Sequence, residues 1–167
     1  MNQVTLLLAT EKDAELIHKM KYEAFLPLYE KYHDDATNPV KEKIEKVIWQ
    51  LTHPGSEYYL IVVDGENAGA VRVARKYVVQ DGERILLPDT NFISPIFILP
   101  KFQNRGIGQQ VFEKLFERYG NVTDWRLDTI KQEVGNCHFY EKCGFVRVSE
   151  PYLEDDIPHV QMVRTGE

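Results

Sequence analysis

An α/β sandwich over a mixed, mostly antiparallel central sheet is the fold class this chain predicts, and three observations carry it. Short runs rich in β-branched and aromatic residues alternate with stretches whose apolar residues recur at helical spacing. Their order reads β-α-α-β-β-β-α-β-α-β-β, which layers helices on a sheet. One junction stands out, "FILPKFQNRGIGQQVFEKLF": an apolar run stops at a proline, and two glycines open the next helix.

Val4 to Leu8 reads as the first strand. Thr10 with Asp13 resembles a capping box for a helix carrying Leu16, Ile17, Met20, Ala24 and Leu28, expected to fade near Pro27. Asn38-Pro39 reads as a second helix start, with Ile44, Val47, Ile48 and Leu51 as its apolar face and His53-Pro54-Gly55 as its end. "YYLIVVD" and "AGAVRVARKYVV" form a hairpin across "DGENAG". After the "QDGER" turn come a short "ILL" and then "NFISPIFI". Pro95 cannot donate to a ladder, so it marks an edge, a bulge or a place where the neighbouring strand diverges. Val111, Phe112, Leu115, Phe116 and Tyr119 make a helical stripe ended by Gly120. "DWRLDTI" is a strand, "NCHFYEKC" a short helix ended by Gly144, and "FVRVSE" with "HVQMVRT" a closing antiparallel pair.

The 167 residues are the size of a single domain, and 43% hydrophobic with 28% charged residues is ordinary globular composition. A net charge of −6 argues against nucleic-acid binding, because no basic block is present to displace counterions. Cys137 and Cys143 are spaced for neither a disulfide nor a CxxC site, and no ligand pair accompanies Cys137-His138 at zinc-finger spacing, so no metal is expected. The N-terminal run lacks a basic leader and no segment is long enough to span a bilayer, so a soluble cytoplasmic chain without membrane partners is expected.

Gly106 and Gly108 cost helix stability, so the turn needs unusual backbone angles or something approaches the backbone closely. A strand, a glycine loop and a helix N-terminus make an anion site, to which Arg105 adds charge. A Walker loop would need Lys then Ser or Thr, where Gln109-Gln110 stand. A dinucleotide fingerprint would need a small residue where Val111 stands. Gln103-Asn104-Arg105-Gly106-Ile107-Gly108 does match the Q/R-x-x-G-x-G/A signature, and "FYEKCGFVRV" follows about thirty residues later. Together these motifs resemble the GCN5-related N-acetyltransferase (GNAT) superfamily, whose element order agrees over most of the chain. "FLPLYEKYHDDATNP" is similar to small bacterial members.

The resemblance implies one N-acetyltransferase domain over residues 1–167 and acetyl-CoA as co-substrate. It implies a pyrophosphate held on the backbone N–H groups of Asn104, Arg105, Gly106, Ile107, Gly108 and Gln109. The pantetheine arm would pair with the main chain of Ile96, Phe97 and Ile98, on a strand splayed from its neighbour. Tyr140 matches the tyrosine that protonates the leaving thiolate; outside the motif it would read as a core aromatic. The family's pantetheine-contacting Asn is replaced here by Glu133, so either Asn136 takes over that contact or Glu133 makes a different one. Asp128 matches the carboxylate that accepts the amine's proton in some relatives, with Glu133 or water as alternatives. Tyr22, Phe25, Tyr29, Tyr32, Glu30, Asp34 and Asp35 fall where the acceptor pocket is usually built, although such a run near a helix end is more often a capped, solvated surface. The expected reaction is direct transfer to a small-molecule or protein amine in a ternary complex. Rivals are a CoA-binding module without turnover and a user of longer acyl-CoA. A homodimer formed by sheet extension is an option that the family offers.

Overall fold

The computed structural model describes residues 3–35, 38–148, 152–154 and 157–165. In chain order its elements are β1 (Val4–Leu8), α1 (Ala14–Tyr32), α2 (Ile44–Thr52), β2 (Ser56–Val63), β3 (Glu66–Gln80) and β4 (Glu83–Ile98). They continue with α3 (Ile107–Arg118), β5 (Asp124–Ile130), α4 (Val134–Lys142), β6 (Val146–Arg147), β7 (Tyr152–Glu154) and β8 (Ile157–Thr165). The strands form one sheet in the order β1-β2-β3-β4-β5-β8-β6, with β7 paired to β8. β4 and β5 run parallel, and the other pairs are antiparallel. The mixed, mostly antiparallel sandwich expected from the sequence is therefore the fold observed.

Several boundaries differ from expectation. The Thr10–Asp13 pairing forms, with Thr10 N–H donating to Asp13 Oδ2 at 2.9 Å, but it encloses a 3₁₀ turn and α1 begins after it. α1 does not fade at Pro27; it runs to Tyr32 and ends at His33 in the left-handed region. Proline removes one helical donor, while Phe25 packs edge-on against Phe97 of β4 at 5.8 Å and holds that stretch to the sheet. Asn38 likewise caps only a 3₁₀ turn, accepting from Val40 N–H at 2.9 Å, and α2 starts at Ile44. "ILL" is not a separate strand: it lies within β4, whose first residues form a long hairpin with β3. "FVRVSE" contributes only the two residues of β6, and its end, Ser149–Glu150, lies outside the described residues.

Both faces of the sheet are packed. On one, α3 and α4 cover a cluster including Ile61, Val71, Phe112, Trp125, Leu127 and Met162. The Phe112 ring meets Phe116, Phe139, Tyr140 and Phe145 at centroid distances of 5.4–6.2 Å. Phe112 and Phe145, the two fully buried rings of this group, contribute on the order of 2–3 kcal/mol each. On the other face α1 and α2 rest on β2, β3 and β4, through Ile17, Met20, Val47, Tyr58 and Phe97. The helices of this second layer thus sit to one side of β5 and β8.

Candidate active cleft

β4 and β5 pair only at Thr90↔Asp124, Asn91↔Trp125 and Phe92↔Arg126, and then part. Just beyond the last pair, the β3–β4 register slips between Val71 and Val73, opposite Ser94 and Pro95. Arg72, inside the slip, donates from Nε to the Ser94 carbonyl at 2.7 Å and from its guanidinium to Ser56 Oγ at 3.1 Å. Pro95 thus occupies both a bulge and the point of divergence. The gap between the strands is a cleft of about 1060 Å³.

Ile96, Phe97 and Ile98 line this cleft while their other edge pairs with Val71, Ala70 and Gly69 of β3. Gln103 Nε2 donates to the Ile98 carbonyl at 2.9 Å, tying the glycine loop to the strand end. Asn104 (φ 62°) and Gly106 (φ 73°) both take left-handed backbone angles, and Gly106 is the N-cap of α3. The first intrahelical bond of α3 runs from Gln110 N–H to the Gly106 carbonyl. The N–H groups of Ile107, Gly108 and Gln109 therefore precede the helical ladder, and all three residues line the cleft.

The two glycines have different reasons to be there. A Cβ on Gly106 would meet nothing within 4 Å, so its requirement is the backbone angle. A Cβ on Gly108 would stand 2.5 Å from the Phe139 ring, so there the close approach comes from α4. Arg105 does not line the cleft; its guanidinium lies over the Phe102 ring at 5.6 Å from the centroid.

Tyr140 lines the cleft from α4, half-buried between Phe112, Phe139 and Phe145. Burial first, then the neighbouring thiols of Cys143 and Cys137, pushes its phenol well above the usual value of 10.0. The hydroxyl therefore stays protonated at any physiological pH. Cys137 is buried (1% exposed) and Cys143 half-buried, and neither lines the cleft. Burial, then Glu113, pushes the Cys143 thiol up to about 11.

Asp128 lines the cleft and is exposed, opposite in direction to the core residues Trp125 and Leu127, as strand alternation requires. Asn136 also lines it, exposed on the first turn of α4. Glu133 is committed elsewhere as well: its Oε2 accepts from Lys31 Nζ at 2.7 Å and from Tyr32 Oη at 2.6 Å. Burial alone would raise the Glu133 carboxyl, but these two hydrogen bonds outweigh it and hold the group below its ordinary range. A carboxylate so stabilised is a poor proton acceptor, and its structural effect is to clasp the end of α1 to the start of α4.

The suggested acceptor region divides. Phe25 and Asp34 line the cleft, Asp34 only 4% exposed. Tyr29 instead donates to Asp35 at 2.6 Å, with Lys41 over its ring, and Tyr22 is exposed. His138 and His159, which sequence reasoning passed over for this site, line the cleft too. For His159 the missing signal was strand order, since β8 becomes the neighbour of β5 only in the folded sheet.

Among the described residues no helix is long and apolar enough to cross a membrane. A family model described as the acetyltransferase (GNAT) family matches residues 19–145. The chain is 28% identical over 160 residues to an uncharacterized N-acetyltransferase in the pepI 3' region of Lactobacillus delbrueckii subsp. lactis, covering 90% of this chain and 88% of that one. In fold it is similar to an acetyltransferase from Thermus thermophilus, with a TM-score of 0.72 at 19% identity, over 98% of this chain and 97% of that one. It is likewise similar to the aminoglycoside acetyltransferase AAC(6')-Ib crystallised with coenzyme A and kanamycin, with a TM-score of 0.70 at 22% identity, over 98% and 95% of the chains. A spermidine N-acetyltransferase SpeG chimera from Vibrio cholerae and hSSAT gives a TM-score of 0.72 at 16% identity, over 98% and 95%. With its motifs, its splayed sheet and a family match over most of its length, the chain belongs to the acetyltransferase (GNAT) family.

Proposed function

We propose that this enzyme moves an acetyl group from acetyl-CoA to the primary amine of a small molecule, directly and within a ternary complex. The observation that carries the reading is the single cleft between β4 and β5. It brings the N–H groups opening α3, the free edge of Ile96–Ile98, Asp128 and Tyr140 into one space. Bound there, acetyl-CoA supplies the activated acyl carbon as a thioester.

The chain's part is largely positioning. Backbone N–H groups of Ile107, Gly108 and Gln109, with the loop from Asn104 to Gly106, fit a pyrophosphate, because left-handed angles at Asn104 and Gly106 turn the chain into the helix start. The open edge of Ile96–Ile98 fits the amides of a pantetheine arm as an added strand, and Asn136 lines the same cleft. Tyr140, protonated, is the donor for a departing thiolate. Asp128, exposed in the cleft, is the carboxylate placed to meet an ammonium. Direct transfer is favoured because neither cysteine lines the cleft to carry an acyl group. The solved relatives named for aminoglycoside and spermidine acetylation support a small amine as acceptor.

The test is a panel of polyamines, aminoglycosides, amino acids and N-terminal peptides, scored by CoA thiol release from acetyl-CoA. Turnover with intersecting double-reciprocal lines is expected. Parallel lines would replace direct transfer with an acyl-enzyme route, and binding of acetyl-CoA without any amine-stimulated release would leave only a CoA-binding module.

A further inference from the structure

In the β3–β4 ladder Val73 faces Ile93 and Val71 faces Ile96. Arg72 of β3 therefore stands against two residues of β4, Ser94 and Pro95. Pro95 has no N–H to give, so the bulge has one backbone donor fewer with which to close itself. We propose that Arg72 is a positioning residue for the acyl transfer, holding this bulge and so setting where the thioester end of the cofactor lies. The inference rests on the acetyl-CoA reading above.

The side chain of Arg72 supplies the tie. Its Nε donates to the Ser94 carbonyl at 2.7 Å, and its guanidinium donates to Ser56 Oγ at 3.1 Å. Ser56 Oγ in turn donates to the Gln50 carbonyl at 2.6 Å. Ser56 opens β2 and Gln50 lies in α2, so one planar fork fastens the bulge to two further elements.

Place along the strand decides what this tie does. The arm of a bound cofactor starts at the glycine loop, which Gln103 fastens to the Ile98 carbonyl. It then passes Ile98, Phe97 and Ile96 in that order, which brings its thioester end to Ser94 and Pro95 on the same cleft wall. β3 holds the two ends of this edge differently. At Ile98 the fit is backbone against backbone: a Cβ on Gly69 would overlap the Phe97 carbonyl oxygen and stand 3.0 Å from Ile98 Cα. At Ser94 the hold is the Arg72 side chain. A full one-residue slip of β4 is resisted, because it would turn Phe97 out of the core beneath α1. Loss of Arg72 therefore loosens the reacting end of the edge and leaves its anchoring end in place. Transfer needs amine and thioester carbon at a near-attack distance, so a displacement of about 1 Å there costs rate rather than binding.

The test compares wild type with Arg72→Met, which keeps an apolar stem and removes the fork, using an amine from the panel. At saturating acetyl-CoA, kcat is expected to fall roughly a hundredfold, while acetyl-CoA affinity by calorimetry stays at the wild-type value. A wild-type kcat would overturn the inference alone. So would equal losses of kcat and affinity, the mark of a general structural role. Should that variant not fold, Ser56→Ala decides, since it removes the far anchor and nothing that lines the cleft. A lower kcat at unchanged affinity is expected, and an unchanged kcat would overturn the proposal. Nitrogen-resolved NMR of the wild type reads the tie without turnover or any variant. The Arg72 Nε–H is expected to exchange slowly with solvent; exchange as fast as in a free guanidinium would overturn the proposal. A wild type that binds acetyl-CoA and turns over no amine would remove the acetylation reading and this inference with it.

Discussion

Gly108 and Phe139 meet so closely that a Cβ on the glycine would lie 2.5 Å from the ring. The helix that opens the anion loop is therefore seated directly on the helix that carries Tyr140. Gly108→Ala must push back Phe139, whose ring also packs against Phe112 at 5.9 Å and Tyr140 at 5.2 Å. The expected cost is about 1–3 kcal/mol in urea unfolding, with a fall in kcat as Tyr140 shifts. Gly106→Ala has room for its methyl group and only the left-handed angle to resist it, about 1–2 kcal/mol. Its larger effect is expected on acetyl-CoA affinity, measured by calorimetry. Equal effects of the two substitutions on affinity and on kcat would remove this division of labour.

Tyr140→Phe keeps the ring among Phe112, Phe139 and Phe145 and deletes only the hydroxyl. Turnover is expected to fall by about a hundredfold with acetyl-CoA binding retained. Full turnover in the variant, followed as thiol release, would show that the phenol donates no proton.

The clasp of Lys31 and Tyr32 on Glu133 carries a pH signature. Folding lowers the Glu133 pKa from 4.5, so the stability it contributes is complete above 4.5 and is lost as pH falls through the folded value. Thermal melts of wild type and Glu133→Gln are expected to differ most near neutrality and to converge below pH 4.5. A gap that stays constant through the acidic range would mean the carboxylate charge is not what holds α1 to α4.

Lys21 of α1 is 1% exposed, with Nζ at 3.1 and 3.2 Å from the two carboxylate oxygens of Glu42 and 3.4 Å from Gln50 Oε1. Burial pushes its pKa down, and Glu42 restores part of it. Lys21→Ala leaves the Glu42 carboxylate with one buried partner fewer and is expected to cost about 3 kcal/mol in urea unfolding. Lys21→Met, which fills the same volume, is expected to cost less. If both variants melt with wild type, the pair contributes nothing to the packing of α1 against α2.

Local patterns carried much of the molecule. Strand alternation and helical spacing are short-range properties of a backbone, so the element order and the alternating faces of β5 were legible, with Asp128 turned away from the core. Pro95 was legible as an interruption because a missing donor is a local fact. Helix ends were less so: Pro27 reads locally as a terminus, but Phe25 packs on Phe97, a contact between residues distant in sequence.

By itself, then, the sequence determined the sandwich, the family and the placing of a glycine loop at a helix start, because propensity, period and motif spacing are all written within a few residues of one another. Only the tertiary structure decided that Gly108 answers to Phe139, that Glu133 is held by Lys31 and Tyr32, and that β8 lies beside β5 with His159 on the face of Asp128. Those relationships join residues from separate elements, and the sheet order and helix packing that bring them together exist only once the whole core has closed.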